Sequence, residues 1–115
     1  MDQVARRRGR LLAGERDDAP GLTQLEQHLT ASAGVCAAKD AAFAYLADRL
    51  ACGETVTECA VQGVIMRRFA DLGLVSATTP NVSFGAHAGD PHYHPIAGVR
   101  DAALAPGDVV LIDLW

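Results

Sequence analysis

The sequence predicts a single α+β domain in which two helices are followed by strands of an antiparallel sheet. Apolar residues recur at helical spacing across two stretches, Thr23 to about Ala51 and Thr57 to Leu72. After Thr78-Thr79-Pro80 the pattern changes to short runs separated by Gly, Pro and Asp, and the strongest strand signal is Val109 to Leu114. At 115 residues, half of them hydrophobic, the chain suffices for one core and is too short for two independently stable ones.

The first helix is expected to start at Thr23-Gln24-Leu25-Glu26. This has the form of a capping box, in which the Thr23 hydroxyl and the Glu26 carboxylate each satisfy an orphan backbone N–H. Phe43, Leu46 and Leu50 follow at helical spacing and Gly53 supplies a stop. Gly34 costs about 1 kcal/mol relative to alanine inside a helix, so two helices split near it are the alternative. A second helix should begin after Thr57 as N-cap, with Glu58 in the favourable first turn; Thr55-x-x-Glu58 is a competing capping box. Val61, Val64, Ile65, Phe69 and Leu72 form its apolar stripe, Arg67-Arg68 make a solvated, dipole-complementing end, and Gly73 closes it. Beyond the breaker, Asn81-Val82-Ser83-Phe84 reads as a short strand, Gly85 to Pro91 as a loop of small residues, and Pro106-Gly107-Asp108 as a turn into the final strand.

Residues 1–22 read as a disordered or poorly ordered tail, and residues 23–115 as the domain. The formal charge of -4 conceals an asymmetry: residues 1–10 hold four arginines against one aspartate, and the rest holds 13 acids against six bases. An acidic body argues against a nucleic-acid face. The apolar run after the arginines, Leu11-Leu12-Ala13, is too short for a signal-peptide core, and no stretch approaches transmembrane length. Cys36, Cys52 and Cys59 are odd in number and lack Cys-x-x-Cys spacing, which suggests neither a disulfide framework nor a zinc knuckle and fits a reducing, cytoplasmic setting. Cys36 and Cys59 are expected to be small core residues, and His28 a surface histidine.

Chemistry concentrates in the last quarter. In an extended strand Val109, Leu111 and Asp113 share one face, so Asp113 points where two aliphatic side chains point. An ionised carboxylate buried there needs a hydrogen-bond network, a cation or a metal. Ahead of it, His92 and His94 stand on a Gly/Pro-stiffened loop. By themselves they read either as a zinc-binding pair, if the segment is extended, or as loop-stabilising residues.

The chain from about Thr23 to Trp115 resembles the N-terminal part of the catalytic domain of the M24 metallopeptidases, the pita-bread family of Xaa-Pro aminopeptidases, prolidases and methionine aminopeptidases. The residues carrying the resemblance are Lys39-Asp40-x-x-Phe43, Val56-Thr57-Glu58, Ile65-Met66-x-x-Phe69, Gly89-Asp90-Pro91-His92-Tyr93 and Pro106-Gly107-Asp108 through Leu114, the last two being the specific ones. The resemblance implies a partial pita-bread fold and a parent enzyme with two divalent metal ions (Mn, Co, Zn or Fe). Asp113 falls on the first metal ligand. His92 falls on the histidine that contacts the substrate or its tetrahedral intermediate, and His94 would line the same cleft.

The family's remaining ligands, a second aspartate, a histidine and two glutamates, have no counterpart within these 115 residues. The chain is therefore expected to be a fragment that is inactive alone, retains no metal pair and self-associates through an open strand edge. The parent is expected to hydrolyse the N-terminal bond of peptides, Xaa-Pro peptides above all, and to be a possible homodimer without nucleic-acid or membrane partners. The alternatives are a non-catalytic pita-bread module that binds peptides or proteins, and a creatinase-like C–N hydrolase that works without metal.

Overall fold

A computed structural model of the chain describes residues 23–115. The sequence reading of residues 1–22 as a tail lies outside the described residues. Contacts group Gly34–Trp115 as one compact unit, and of the preceding unit only residues 23–33 are described.

Helix α1 spans Gln24–Ala51. It begins with the expected capping box: Glu26 N–H donates to Thr23 Oγ1 and Thr23 N–H to Glu26 Oε1, both at 3.1 Å. The helix runs unbroken through Gly34, whose missing side chain is used for packing, since a Cβ there would collide with the Leu74 Cδ1 methyl. The close approach explains why a helix tolerates the roughly 1 kcal/mol that glycine costs it. The buried face is Gly34, Ala38, Ala42 and Leu46, an i, i+4 row of mostly small residues. Of the apolar residues at helical spacing, Leu46 is buried, and Phe43 and Leu50 are exposed. Cys36, expected inside, is exposed, and Cys59 is only half-buried. The row that faces the core is set by small residues allowing close approach; Leu50 continues that row at the end of the helix and Phe43 flanks it, and both are left in water.

Helix α2 covers Glu58–Asp71. Thr57 is its N-cap, its hydroxyl accepting the Ala60 N–H at 3.2 Å, and the competing cap at Thr55 is not used. Val61, Ile65 and Phe69 are buried, Leu72 is exposed, and Gly73 at φ 70° closes the helix, which places Leu74 N–H on the Phe69 carbonyl at 2.8 Å.

Strand β1 is Asn81–Phe84 and β2 is Val110–Asp113, paired antiparallel with Asn81 opposite Asp113 and Phe84 opposite Val110. Between them, the stretch expected to be a plain loop contains a 3-10 turn at Gly85–Gly89. Val82 and Phe84 join the core of Ala38, Ala42, Leu46, Val56, Val61, Ile65 and Phe69, with Val110, Ile112 and Leu114 packed against it. Each fully buried aliphatic or aromatic side chain here contributes about 1.5–3 kcal/mol. The turn into β2 has Gly107 at φ 85°, a value that suits glycine, and Asp108 N–H closes it on the Ala105 carbonyl at 3.1 Å. Two helices and an antiparallel strand pair make the α+β arrangement expected from the sequence. Among the described residues no helix is long and apolar enough to cross a membrane.

Candidate functional site

Strand alternation places Asp113 as expected, on the face of Val109 and Leu111 and away from Val110, Ile112 and Leu114. That face, however, is open. Val109 is 64% exposed, Leu111 36% and Trp115 56%, and Asp113 is exposed with them. The expectation of a carboxylate buried among aliphatic side chains is corrected accordingly: Asp113 is exposed, so it needs no compensating partner, and its side chain makes no hydrogen bond or ion pair among the described residues. β2 also has one neighbour only, leaving its outer edge without a strand among the described residues.

His92 is placed by a tight turn. Tyr93 N–H donates to the Asp90 carbonyl at 3.1 Å, and the Asp90 side chain accepts the His92 N–H at 2.9 Å. With Pro91 and His92 at the corners, the turn pushes the imidazole into solvent, where it makes no side-chain hydrogen bond among the described residues. His94 is likewise exposed, and its carbonyl accepts from Arg100 Nε at 2.7 Å. Because His92 sits in a turn, the extended segment that a His-x-His zinc pair requires is not formed. No hydrogen bond or ion pair among the described residues joins His92 or His94 to Asp113.

A different constellation is tightly joined. Glu58, in the first turn of α2, is 0% exposed and accepts four hydrogen bonds. Oε1 takes the Tyr93 hydroxyl and the Ala102 N–H at 2.8 Å; Oε2 takes the Phe84 N–H at 2.7 Å and His87 Nδ1 at 3.0 Å. The His87 and Tyr93 rings stack with centroids 4.1 Å apart and planes 22° apart. One carboxylate thus fastens the end of β1, the 3-10 turn, the loop of His92 and the segment around Ala102 to the start of α2. That segment is held as well by the Thr57–Ala103 bridge and by Asp101, which accepts the Cys59 N–H at 2.8 Å near the positive end of the helix.

The electrostatics follow from this geometry. Burial pushes the Glu58 carboxyl up, but the hydrogen bonds from Tyr93, Ala102, Phe84 and His87 outweigh it and hold the group below its ordinary value. Burial, followed by donation to Glu58, pushes the Tyr93 phenol up. Burial and then Asp101 raise the Cys59 thiol, so Cys59 stays a thiol and lacks the thiolate character of a reactive cysteine. Sequence reasoning read Glu58 as a dipole-complementing residue and missed the network. Its partners lie between 26 and 44 positions away, and locally the glutamate already had a reading, as a first-turn acid or as the partner of Thr55 in a capping box.

A pair of metal ions requires several donors, typically carboxylates and imidazoles converging on one point. Among the described residues no group of three or more His, Cys, Asp or Glu side chains converges in that way. These residues therefore do not fit a metal pair by themselves; Asp113, a solvent-open carboxylate whose oxygens are uncommitted among the described residues, has the chemistry of a single donor.

The family model described as metallopeptidase family M24 matches residues 31–115. That span holds the Glu58 network, the His92 turn and β2. No curated protein matches the chain.

Proposed function

The chain belongs to metallopeptidase family M24, whose hydrolases generally use divalent metals, and we propose that it carries the substrate-side loop and one metal-donor strand of a peptidase that hydrolyses the N-terminal bond of peptides, Xaa-Pro peptides foremost. The observation that carries the reading is a pair of side chains in the matched span that are uncommitted among the described residues: Asp113 on the open face of β2 and His92 at the corner of its turn. In this reading Asp113 supplies one carboxylate donor, and the other donors come from outside these 115 residues. His92 donates a hydrogen bond to the oxygen that gains negative charge at the scissile carbonyl, a role suited to an imidazole free of other partners. His94 borders the peptide. Three unpaired cysteines suit a reducing compartment.

The test is hydrolysis of Xaa-Pro dipeptides by the longest product of the coding sequence, compared with His92→Ala and Asp113→Asn. Loss of turnover in both variants is expected, and wild-type turnover in either removes that residue from the reaction. A second reading, a peptide-binding module without catalysis, draws support from the incomplete donor set among the described residues. It predicts that Ala-Pro binds the longest product without being cleaved.

A further inference from the structure

The Glu58 network contains an imidazole that the proposed function leaves unused. His87 Nδ1 lies 3.0 Å from Glu58 Oε2, and this oxygen also accepts the Phe84 N–H. The carboxylate is ionised and acceptor-only, so Nδ1 must bring the proton. In the neutral ring that leaves the lone pair on Nε2. The side chain is 37% exposed, and Nε2 has no partner among the described residues and is not a buried orphan, so it faces solvent. Stacking on Tyr93, which is itself tied to Glu58, restrains the ring in a second direction. A buried carboxylate that fixes the tautomer and orientation of a half-exposed imidazole is the arrangement by which proteins present a basic nitrogen to a ligand. The same clamp holds Tyr93, the residue next to His92, so the two imidazoles are presented by one anchored loop.

The charge around His87 favours a cationic donor. Glu58 stands behind the ring, and the exposed Asp90 carboxylate lies between His87 and His92 in the chain. Resting on the peptidase reading, we infer that His87 is a second substrate-contacting residue whose Nε2 accepts a hydrogen bond from the protonated α-amine of a peptide.

The test uses the 115-residue chain labelled with ¹⁵N, probed with Ala-Pro and N-acetyl-Ala-Pro. Long-range nitrogen–proton spectra of the imidazoles are expected to show His87 as the Nδ1–H tautomer. Ala-Pro should shift its Nε2 resonance and N-acetyl-Ala-Pro should not. His87→Gln should weaken Ala-Pro binding about tenfold, the loss of one hydrogen bond to a charged group, and leave the acetylated peptide unaffected. An Nε2–H tautomer, or equal shifts from both peptides, overturns the inference without any need for the variant to fold. If His92 responds to the peptides while His87 stays silent, the role of His87 is overturned and the peptidase reading stands. If neither imidazole responds to either peptide, the role of His87 is overturned, and the peptidase reading is decided by turnover of the longest product of the coding sequence.

Discussion

Replacing Glu58 with glutamine exchanges one acceptor oxygen for an NH2 donor inside a site that contains only donors. Whichever oxygen is exchanged, a backbone N–H is left facing another N–H: that of half-buried Ala102 if the amide nitrogen takes the Oε1 position, that of buried Phe84 if it takes Oε2. The side-chain partner on the exchanged oxygen can adapt, because the Tyr93 hydroxyl can rotate to accept and His87 can change tautomer. The backbone donor cannot adapt. Stranding it costs about 1–3 kcal/mol, and the remaining bonds lose their charge assistance, so the expected destabilisation is roughly 2–4 kcal/mol. Urea unfolding of the 115-residue chain reads this as a lower midpoint at unchanged slope. A pH series adds a second, independent readout. The folded value of Glu58 lies below its ordinary 4.5, so the unfolded state binds more protons across the interval between the two. The stabilisation is complete above pH 4.5 and is lost as pH falls through the folded value. Wild type should therefore lose stability in that acid window, and Glu58→Gln should show a shallower slope there. A change below about 0.5 kcal/mol at neutral pH, the size of an ordinary surface substitution, would refute the reasoning.

Tyr93→Phe keeps the ring that stacks on His87 and removes one bond to a buried carboxylate, so a loss of about 1.5–3 kcal/mol is expected, non-additive with Glu58→Gln in a double-mutant cycle. Thr57→Ala removes the side-chain acceptor for the Ala60 N–H and should cost about 1 kcal/mol by the same unfolding assay. Gly107→Ala forces a Cβ into a backbone at φ 85°, with an expected cost of about 1–2 kcal/mol and no change in the sheet register seen by NMR.

The elements were legible from the sequence because the signals that define them are local. Thr23 with Glu26, Thr57 before Glu58, and Gly73 after Leu72 each satisfy backbone groups within a turn of themselves, and strand alternation fixed which neighbours Asp113 would have. Two things were not legible. The spacing of Phe43, Leu46 and Leu50 marks a helix but not which residues the core takes: it takes Gly34, Ala38, Ala42 and Leu46, since small residues let a helix approach closely, while Phe43 and Leu50 remain in water. The Glu58 network depends on four later segments folding back onto the start of α2, and a glutamate at a helix start carries no mark of partners that distant. At the candidate site, the face of Asp113 could be read, but its exposure could not, because covering a strand face is a property of what packs against it.

In the proposed function Asp113 is a metal donor and does nothing for the fold of the described residues. Calorimetric titration of Mn2+ into the longest product of the coding sequence, wild type against Asp113→Asn, tests it most directly when paired with urea unfolding of both. The account predicts an unfolding free energy within about 0.5 kcal/mol of wild type together with loss of high-affinity metal binding. An Asp113→Asn protein that binds Mn2+ as tightly as wild type would contradict it.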